Sequence, residues 1–404
     1  MRLGPQAGER IDRGEEIGFF FEGSRMSGFG GDTIGSALYA AGQRVFSRSF
    51  KYHRPRGLLC CSGACPNCMM RVDGVPNVRV CVEPLREGAR VEAQNVLGTL
   101  GFDLMGIVDK LGGRLLPAGF YYRTMIRPRR AWPLYERFLR HAAGLGKLDP
   151  HATRTGRFDA EHRRAEVLVV GGGEAGLEAA RTAAAEGKQV VLVDEGSGLA
   201  GHLEKGIEIL APAFAIGIYE GGLVPVAAGG VLYRFRAERI VVATGAIEQP
   251  LVFPGNDRAG VMLPGAVRRL VRDFAVKPGE RAVVVAADDR GLEIVEDLEA
   301  AGTEIARVVD LRRQEVVVMS ARGRRGRLTS VDIAGRRTRC DLLVVSGGRQ
   351  PAYSLLAQAG ARVEYKASKG IFVPLDFPPN IEAVGSVTGQ KCAGVGPSFS
   401  GRGG

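Results

Sequence analysis

Five of the seven cysteines lie between residues 60 and 81, and four of these five have the spacing C-x4-C-x2-C-x12-C. Thiolates bind iron–sulfur clusters and zinc. Three thiolates from one tight loop and a fourth from a neighbouring strand can surround two irons. The sequence therefore predicts a [2Fe–2S] cluster with the ligands Cys60, Cys65, Cys68 and Cys81.

Two other interpretations of these cysteines stay open, a structural zinc site and a group of buried thiols. Zinc sites usually pair two C-x2-C knuckles, and only one is present here. Cys61 is a spare thiol that could change which cysteines bind, although its neighbour fits the four-residue gap better. Gly63 lets the loop curl so that backbone N–H groups point at the sulfurs. The Asp73-Gly74 turn predicts a hairpin that returns Cys81 to the loop.

A second group of residues has the pattern of a dinucleotide site. A buried strand at 166–170 is followed by G-x-G-x-x-G, a helix, and a strand at 190–193 that ends in an acid. In this fingerprint the glycines make the turn, admit the pyrophosphate and let helix and strand pack closely, while the helix N-terminus supplies donors. The predicted contact residues are Gly171, Gly173, Glu174, Ala175, Gly176, Asp194 and, as an alternative acid, Glu195. The acid favours FAD or NAD over NADP, and the fingerprint alone does not separate FAD from NAD or another adenine nucleotide.

A second βαβ unit is expected from residue 281 to residue 310. Its phosphate turn, at 286–291, has lost two glycines and carries Asp288 and Asp289. Two carboxylates at this position would repel a pyrophosphate, so we expect no NAD site there.

The order of predicted elements suggests an α/β protein with an N-terminal α+β part. A strand at 17–22, a helix from Ile34 capped by Asp32 or Thr33, and a hairpin of 69–72 with 78–82 predict a β-grasp ferredoxin-like domain over 1–100. Residues 101–164 read as a connector and linker. Alternating strands and helices over 165–404 predict a doubly wound two-dinucleotide-binding-domain flavoprotein module, with a second Rossmann-like unit inserted at about 260–348.

The formal net charge of +11 comes from scattered basic groups. One such group is Arg322, Arg324, Arg325 and Arg327; another is His53, Arg54 and Arg56, just before the cysteines. No basic stripe with interleaved aromatic residues is present, so we expect no nucleic-acid partner and a solvated basic surface, or attraction to an acidic partner or phosphates. Two interpretations of residues 53–56 stay open. The residues either contact a flavin phosphate or a partner protein, or they form an exposed basic turn.

The N-terminus has no apolar core, and the longest apolar stretch, 207–219, is interrupted and too short to span a bilayer. We therefore expect no secretory signal, no membrane span and a cytoplasmic location.

Longer stretches carry a family resemblance. VVATGA at 241–246 resembles the ATG turn that two-dinucleotide-domain flavoproteins place near the adenylate, which implicates Thr244 and Gly245. The chain resembles α subunits of heterotetrameric sarcosine oxidase and their relatives, the opine oxidases, hydrogen cyanide synthase and dye-linked proline dehydrogenases. The matching segments include GDTIGSALYAAG, RSFKYHRPRG, VLVVGGGEAGLEAA, GNDRAGVMLPGAVRRL and IEAVGSVTG. The cysteine motif is typical of the cluster-containing branch.

The resemblance implies an electron-handling α subunit. In such complexes a separate β subunit oxidises a secondary amine on its own flavin, and electrons pass to a flavin or cluster connected with the α subunit. It implies FAD in the nucleotide site, with Gly385 and Ser386 where many flavoproteins have Gly-Asp, and FMN at a subunit interface. Two alternatives remain: a self-sufficient NAD(P)H-linked iron–sulfur flavoprotein reductase, and a non-catalytic assembly subunit with a defunct nucleotide pocket. No residue is nominated for acid–base catalysis.

Overall fold

The computed structural model describes residues 1–50, 52–109, 127–142, 159–199, 204–313 and 319–392. Their contacts divide into two compact units. Unit 1 contains the described residues of Met1–Thr153 and Pro250–Ser346, and unit 2 contains those of Arg154–Gln249 and Gly347–Phe399. No helix in the described ranges is long and apolar enough to cross a membrane. Much of the connector predicted at 101–164 lies outside the described residues.

The first hundred residues form the predicted α+β unit. Its elements are β1 (Asp12–Phe21), β2 (Ser24–Gly30), α1 (Ile34–Ala40), β3 (Ser47–Arg48), β4 (Pro55–Arg56), β5 (Met69–Val72), β6 (Val75–Arg79) and β7 (Arg90–Glu92), and α2 (Trp132–Ala142) follows later. Five strands make one sheet in the order β2-β1-β7-β5-β6, and β3 pairs with β4. The hairpin strand predicted at 78–82 was misplaced. It begins at Val75, because Asp73 and Gly74 both have positive φ and close a two-residue turn between Val72 and Val75.

The two candidate caps of α1 have different roles. Thr33 is the N-cap, because its hydroxyl accepts from the Ser36 amide while the Ser36 hydroxyl accepts from the Thr33 amide. The Asp32 carboxylate is buried and accepts two hydrogen bonds from the Arg2 guanidinium, at 3.1 and 2.6 Å. Asp32 therefore ties the N-terminus to the start of α1.

Residues 159–249 contain the dinucleotide-type βαβ unit. The elements are β8 (Asp159–Val170), α3 (Glu174–Ala185), β9 (Val190–Val193), β10 (Ile207–Leu210), β11 (Phe214–Ala215), β12 (Leu223–Ala228), β13 (Val231–Val242) and β14 (Ala246–Glu248). The apolar stretch 207–219 forms two of these strands. β9 has the predicted bounds, whereas β8 begins seven residues before the predicted strand because it pairs with the long β13.

Residues 250–346 form a second, smaller α/β layer. The elements are β15 (Val261–Met262), α4 (Pro264–Arg268), β16 (Arg281–Ala286), α5 (Asp289–Leu292), α6 (Ile294–Ala300), β17 (Glu304–Asp310), β18 (Met319–Arg324), β19 (Arg327–Ile333), β20 (Arg336–Arg339) and β21 (Leu342–Ser346). β15-β21-β16-β17 form a parallel sheet, and β18-β19-β20 a separate antiparallel sheet. The sequence also predicts a strand at 316–320, and part of this range lies outside the described residues.

The remaining elements complete unit 2. They are β22 (Arg349–Pro351), α7 (Ser354–Gln358), β23 (Arg362–Lys366), β24 (Ile371–Leu375) and β25 (Ile381–Ala383). β25 pairs with β13, which makes the main sheet β10-β9-β8-β13-β12-β11 seven-stranded. β8 pairs in parallel with β9 and β13, β9 pairs in parallel with β10, and β13 pairs in parallel with β25. Parallel pairing of this kind is expected for a doubly wound sheet.

One hydrophobic core joins the two parts of unit 1. Side chains from the N-terminal sheet and α1 share this core with residues of 259–344. Tyr39 of α1 is 2% exposed, and its hydroxyl donates to the Pro278 carbonyl at 2.5 Å. Burial raises the pKa of Tyr39 to about 12, so this hydroxyl keeps its proton at neutral pH. The cysteine-bearing segment is thus packed directly against residues that lie more than 200 positions away.

Removing the Tyr39 hydroxyl tests this packing. Tyr39→Phe leaves the buried Pro278 carbonyl without its donor, which should lower the free energy of unfolding by about 1–3 kcal/mol. The measurement is urea unfolding of the full chain, followed by the fluorescence of Trp132, the single tryptophan. Tyr365→Phe is the control, since Tyr365 is 46% exposed. Equal midpoints for the two variants would contradict the shared core.

Candidate iron–sulfur and nucleotide sites

The structure brings together the four predicted cluster ligands. The Cys60 and Cys65 sulfurs are 3.3 Å apart. Cys81 is in sulfur–sulfur hydrogen-bond contact with both Cys60 and Cys68. The hairpin of β5 and β6 produces this arrangement, because Cys68 precedes its first strand, Cys81 follows its second, and the Val80 amide donates to the Cys68 carbonyl. The sulfurs therefore form one connected group, in the order Cys65, Cys60, Cys81 and Cys68.

Two kinds of metal group use four cysteines in different ways. A structural zinc needs four ligands around one point, whereas a [2Fe–2S] cluster distributes four cysteines over two irons. Among the described residues, no three His, Cys, Asp or Glu side chains are arranged to hold one metal ion. The cysteine spacing, with a single C-x2-C, is what favours the cluster.

Contacts within the group shift the four thiol pKa values in opposite directions. Hydrogen bonds from Cys65 and Cys81 lower the pKa of Cys60, and one from Cys81 lowers the pKa of Cys68. The pKa values of Cys65 and Cys81 are raised, because their hydrogen bonds to neighbouring sulfurs favour the protonated thiol. Backbone amides of Ser62, Asn67 and Cys81 also donate to the sulfurs of residues 60, 65 and 68. Such donors stabilise the negative charge of thiolates and of a bound cluster.

Cys61 differs from the four ligand candidates. Its side chain is as buried as those of Cys60, Cys68 and Cys81, but among the described residues it makes no sulfur–sulfur hydrogen bond. Burial raises its pKa, which keeps it a neutral thiol. Its positive φ turns the backbone at this point in the loop. This placement favours Cys60 over Cys61 as the first ligand.

Three positions that sequence reasoning missed hold the cysteine loop in place. Gly35 of α1 packs against the fourth cysteine: a Cβ there would lie 2.9 Å from the Cys81 Cα, and the Gly35 amide donates to the Val80 carbonyl at 2.7 Å. The Leu263 amide donates to the Leu59 carbonyl at 2.9 Å. The signal for Gly35 was its place inside GDTIGSAL, where a glycine early in a helix demands a packing reason.

The third missed position is Arg269, which follows α4. Its guanidinium donates to the Cys60 carbonyl at 3.3 Å. Arg269 and Leu263 both belong to the 250–346 segment, so the loop is anchored from both parts of unit 1. No local pattern in the sequence pointed to a contact between residues 209 positions apart.

His53 does not lie on an exposed turn, as one interpretation of 53–56 expected. Its side chain is buried, and Nδ1 is 2.8 Å from the Asp103 carboxylate. Arg54 and Arg56 do reach the surface, and both pair with Asp257. The histidine therefore stabilises the turn from inside.

In unit 2, the glycine turn after β8 has the geometry that the fingerprint requires. Gly171 has φ of +109°, and a Cβ there would collide with the Ala243 carbonyl. A Cβ at Gly176 would collide with the Gly171 carbonyl, so helix and strand approach closely. Gly173 caps α3, and a Cβ there would meet no atom within 4 Å. The turn thus leaves open space next to Gly173, at the N-terminus of a twelve-residue helix.

The predicted acid lies beside this turn. One oxygen of Asp194 accepts from the Gly172 amide at 2.7 Å, and the other accepts from the Gly196 amide at 2.8 Å. Each carboxylate oxygen has a second lone pair, so the group can still accept from ribose hydroxyls. Glu195 is exposed, whereas Asp194 is partly buried beside the turn. The geometry favours Asp194 of the two.

The remaining predicted residues lie at two other turns of unit 2. Thr244 Oγ1 donates to the Ala352 carbonyl at 2.9 Å, and Gly245 has positive φ, directly after β13. Gly385 also has positive φ, and a Cβ there would lie 2.7 Å from the Ala175 Cβ in the first turn of α3. The structure therefore brings Gly385 to the glycine turn. Ser386 follows it and accepts from the Cys392 thiol through its carbonyl, and Glu174 is exposed at the start of α3.

The second βαβ turn, in unit 1, is occupied by its own side chains. Asp288 caps α5 by accepting from the Gly291 amide, and it also accepts from the Ser346 hydroxyl, both at 2.9 Å. Arg312 binds the Asp310 carboxylate through two nitrogens, each at 2.9 Å, and binds Asp289 at 2.8 Å. Asp310 ends β17, the position at which a Rossmann unit presents its ribose-binding acid. An internal guanidinium therefore satisfies the acids that a nucleotide would have to meet.

Comparison with known proteins gives both sites a context. A family model described as a 2Fe-2S iron-sulfur cluster binding domain matches residues 14–96, and one described as an FAD binding domain matches residues 166–207. Sarcosine oxidase subunit alpha of Rhizobium meliloti (strain 1021) is 33% identical over 97% of this chain, and that of Corynebacterium sp. (strain P-1) is 29% identical over 94%. The chain is a homologue of sarcosine oxidase α subunits. It spans less than half the length of these two relatives, 45% and 42%.

The structural comparison supports the same fold. The crystal structure of L-proline dehydrogenase from P. horikoshii matches 93% of this chain and 70% of that chain, with a TM-score of 0.69 and 20% identity. The predicted fold class, a ferredoxin-like domain followed by a flavoprotein module, is confirmed. The relatives are oxidoreductases by name.

Replacing single cysteines tests the assignment of the ligands. Cys65→Ala removes one member of a sulfur pair and should abolish assembly of the cluster, whereas Cys61→Ala should leave about two irons per chain. Iron content and the visible absorption spectrum after anaerobic reconstitution are the measurements. Loss of iron in Cys61→Ala with retention in Cys65→Ala would contradict the assignment.

Two glycine variants test the nucleotide turn. Gly173→Ala has room for its Cβ, so the chain should fold, but the methyl group fills the space beside the helix N-terminus. FAD affinity, measured by quenching of flavin fluorescence, should fall roughly tenfold or more, which corresponds to about 1.4 kcal/mol. Gly4→Ala, whose Cβ also meets no atom within 4 Å, is the control. Unchanged affinity in Gly173→Ala would show that the pyrophosphate does not bind here.

Proposed function

We propose that this chain is the electron-transfer subunit of a heteromeric flavin-dependent amine or imino-acid oxidoreductase. It carries a [2Fe–2S] cluster on Cys60, Cys65, Cys68 and Cys81, and FAD at the glycine turn of unit 2. The observation that carries the proposal is the gathering of these four sulfurs into one connected group, three from an anchored loop and the fourth from the end of the β5–β6 hairpin. The match of 14–96 to a cluster-binding domain supports it.

The loop's own residues prepare a site for the cluster. Three of the four cysteines are buried, and Cys65 is the partly exposed one. Amide donors to the sulfurs offset negative charge, and Gly35 and Arg269 fix the backbone on both sides. When bound, such a cluster carries one electron at a time. Burial of three ligands shields this site from water, while Cys65 marks the edge through which an electron reaches a partner.

The glycine turn prepares the second site. The first turn of α3 offers N–H donors and the positive end of a helix dipole to a pyrophosphate. Asp194 is positioned to accept from ribose hydroxyls, and Gly385 approaches the turn closely enough to leave no side chain in the way. A bound flavin supplies hydride and single-electron chemistry. The match of 166–207 to an FAD-binding domain favours FAD over NAD at this site.

The acid-filled second turn argues against the reductase alternative. A self-sufficient NAD(P)H reductase needs a second nucleotide site, and here Arg312 and Asp288 satisfy that turn internally. We infer that electrons come from an amine oxidised on a partner chain instead. The names of the relatives, subunits of sarcosine oxidase, support a heteromeric assembly.

The source of the electrons is testable with the native complex. The chain is purified from its own cells together with the chains that co-purify, and sarcosine, proline and an opine are added in turn under anaerobic conditions, without an acceptor that would reoxidise the cluster. One of them should bleach the cluster, while NADH should not bleach the cluster or the flavin of the reconstituted chain. Rapid bleaching by NADH without response to any amine would replace this proposal by the reductase alternative.

A further inference from the structure

Unit 1 concentrates positive charge on its three-stranded sheet, β18-β19-β20. Residues 319–339 contain seven arginines and one aspartate, against a net charge of +11 for the whole chain. All seven are exposed: Arg322, Arg324, Arg325, Arg327, Arg336, Arg337 and Arg339. Within the described part of the chain, no carboxylate lies within ion-pair distance of any of them. The other face of the sheet is buried through residues such as Leu328 and Ile333.

The hairpin between β18 and β19 has an unfavourable charge arrangement. Arg324 and Arg327 are directly paired across the two strands, and Arg325 forms the turn between them with Gly326. Like charges opposite each other destabilise a strand pair. Three guanidiniums lie at one tip, and among the described residues none of them forms an ion pair, so an anionic group that covers them would offset their repulsion.

This tip touches the segment that leads into the cysteine loop. A Cβ at Gly326 would collide with the Pro55 ring, and the Ala259 amide donates to the Gly326 carbonyl. The next residue, Arg56, lies within electrostatic reach of the Cys65 sulfur. The hairpin tip therefore lies beside the segment of Arg54 and Arg56, which pair with Asp257, and this segment leads to the partly exposed edge of the cluster site.

An apolar contact adjoins the same edge. Val82 is 47% exposed and packs beside Gly63, the glycine of the cysteine loop. A central apolar spot with charged residues around it is the usual arrangement of a protein–protein contact. Electron-transfer encounters belong to the small end of such interfaces, and charge complementarity guides them.

We propose that the tip arginines Arg324, Arg325 and Arg327 dock an acidic one-electron carrier protein over the Cys65 edge of the cluster site. One electron passes between the cluster and the carrier, so that one is oxidised as the other is reduced, and no bond or proton changes hands. This inference rests on the proposed function for the cluster. Nucleic acid fits the surface less well, because 319–339 contains no aromatic residue on which a base could stack.

The test uses two triple variants of equal charge. Arg324→Gln/Arg325→Gln/Arg327→Gln alters the tip. Arg336→Gln/Arg337→Gln/Arg339→Gln removes the same charge from β20, which pairs with the Ser330–Ile333 part of β19, away from the tip. The probe is a small acidic plant-type ferredoxin, and basic cytochrome c is the negative control. The Kd of ferredoxin for the full chain is measured at several salt concentrations, together with the rate of electron exchange between ferredoxin and the chain in stopped flow.

The tip variant should weaken ferredoxin binding and slow electron exchange roughly tenfold or more at low salt, with a flatter salt dependence. The β20 variant should change both by less than about twofold. Equal effects of the two variants would mean that only net charge matters, and no effect of the tip variant would exclude this docking site. Either result overturns the proposal. Tighter tip-dependent binding of a single-stranded oligonucleotide or of phosphatidylglycerol vesicles would also overturn it.

Failure of the proposed function gives a different result. Binding is measured without electron transfer, so a chain that takes up no iron can still bind ferredoxin through its tip. In that case the docking surface stands and the cluster assignment falls. A chain with two irons and normal amine-dependent reduction, but no tip-dependent binding, has the function without this docking surface.

Discussion

The thiols of Cys60, Cys65, Cys68 and Cys81 form one connected group, and the packing of unit 1 holds them together. Close sulfurs are unfavourable when two or more are ionised, so the loop needs donors and a backbone that cannot relax. The β5–β6 hairpin supplies the fourth sulfur, and Gly35 lets α1 approach Cys81 without a side chain between them. Arg269 and Leu263 fix the loop carbonyls from a distant segment. The cysteine site therefore depends on a core that the first hundred residues share with 259–344.

The two phosphate-type turns illustrate opposite uses of one supersecondary motif. After β8, glycines remove side chains so that helix and strand meet and open space remains beside Gly173. After β16, Asp288 replaces the ligand as an internal acceptor of the Gly291 and Ser346 donors. Arg312 then satisfies the remaining acids. A βαβ unit can thus keep its structural role, here by packing into the core that unit 1 shares with the N-terminal sheet, after its turn has become unsuitable for a nucleotide.

Electrostatics differs between the interior and the surface of unit 1. Buried ionic groups are paired, as Asp32 is with Arg2 and His53 with Asp103. The arginines of β18-β19-β20 are unpaired among the described residues and exposed. Ion pairs and hydrogen bonds offset the free-energy cost of burying polar groups. An exposed guanidinium without a partner stays hydrated, so it costs little free energy, and its charge acts at long range. Residues 319–339, with seven arginines and one aspartate, therefore hold a large share of the net positive charge, and their hairpin tip contacts Pro55, before the cysteine loop.

The sequence by itself determined the chemistry whose signal is local. Cysteine spacing, the glycine fingerprint before α3 and the acids at 288–289 each depend on residues close together in the chain, and the sites that they predict stay predictions. Tertiary structure decided what holds these groups: the Gly35 approach to Cys81, the burial of His53, and the bond from Arg269 to Cys60 across 209 residues. Such contacts follow from how the 250–346 segment packs against the N-terminal sheet, and no local periodicity encodes a pairing between segments so far apart.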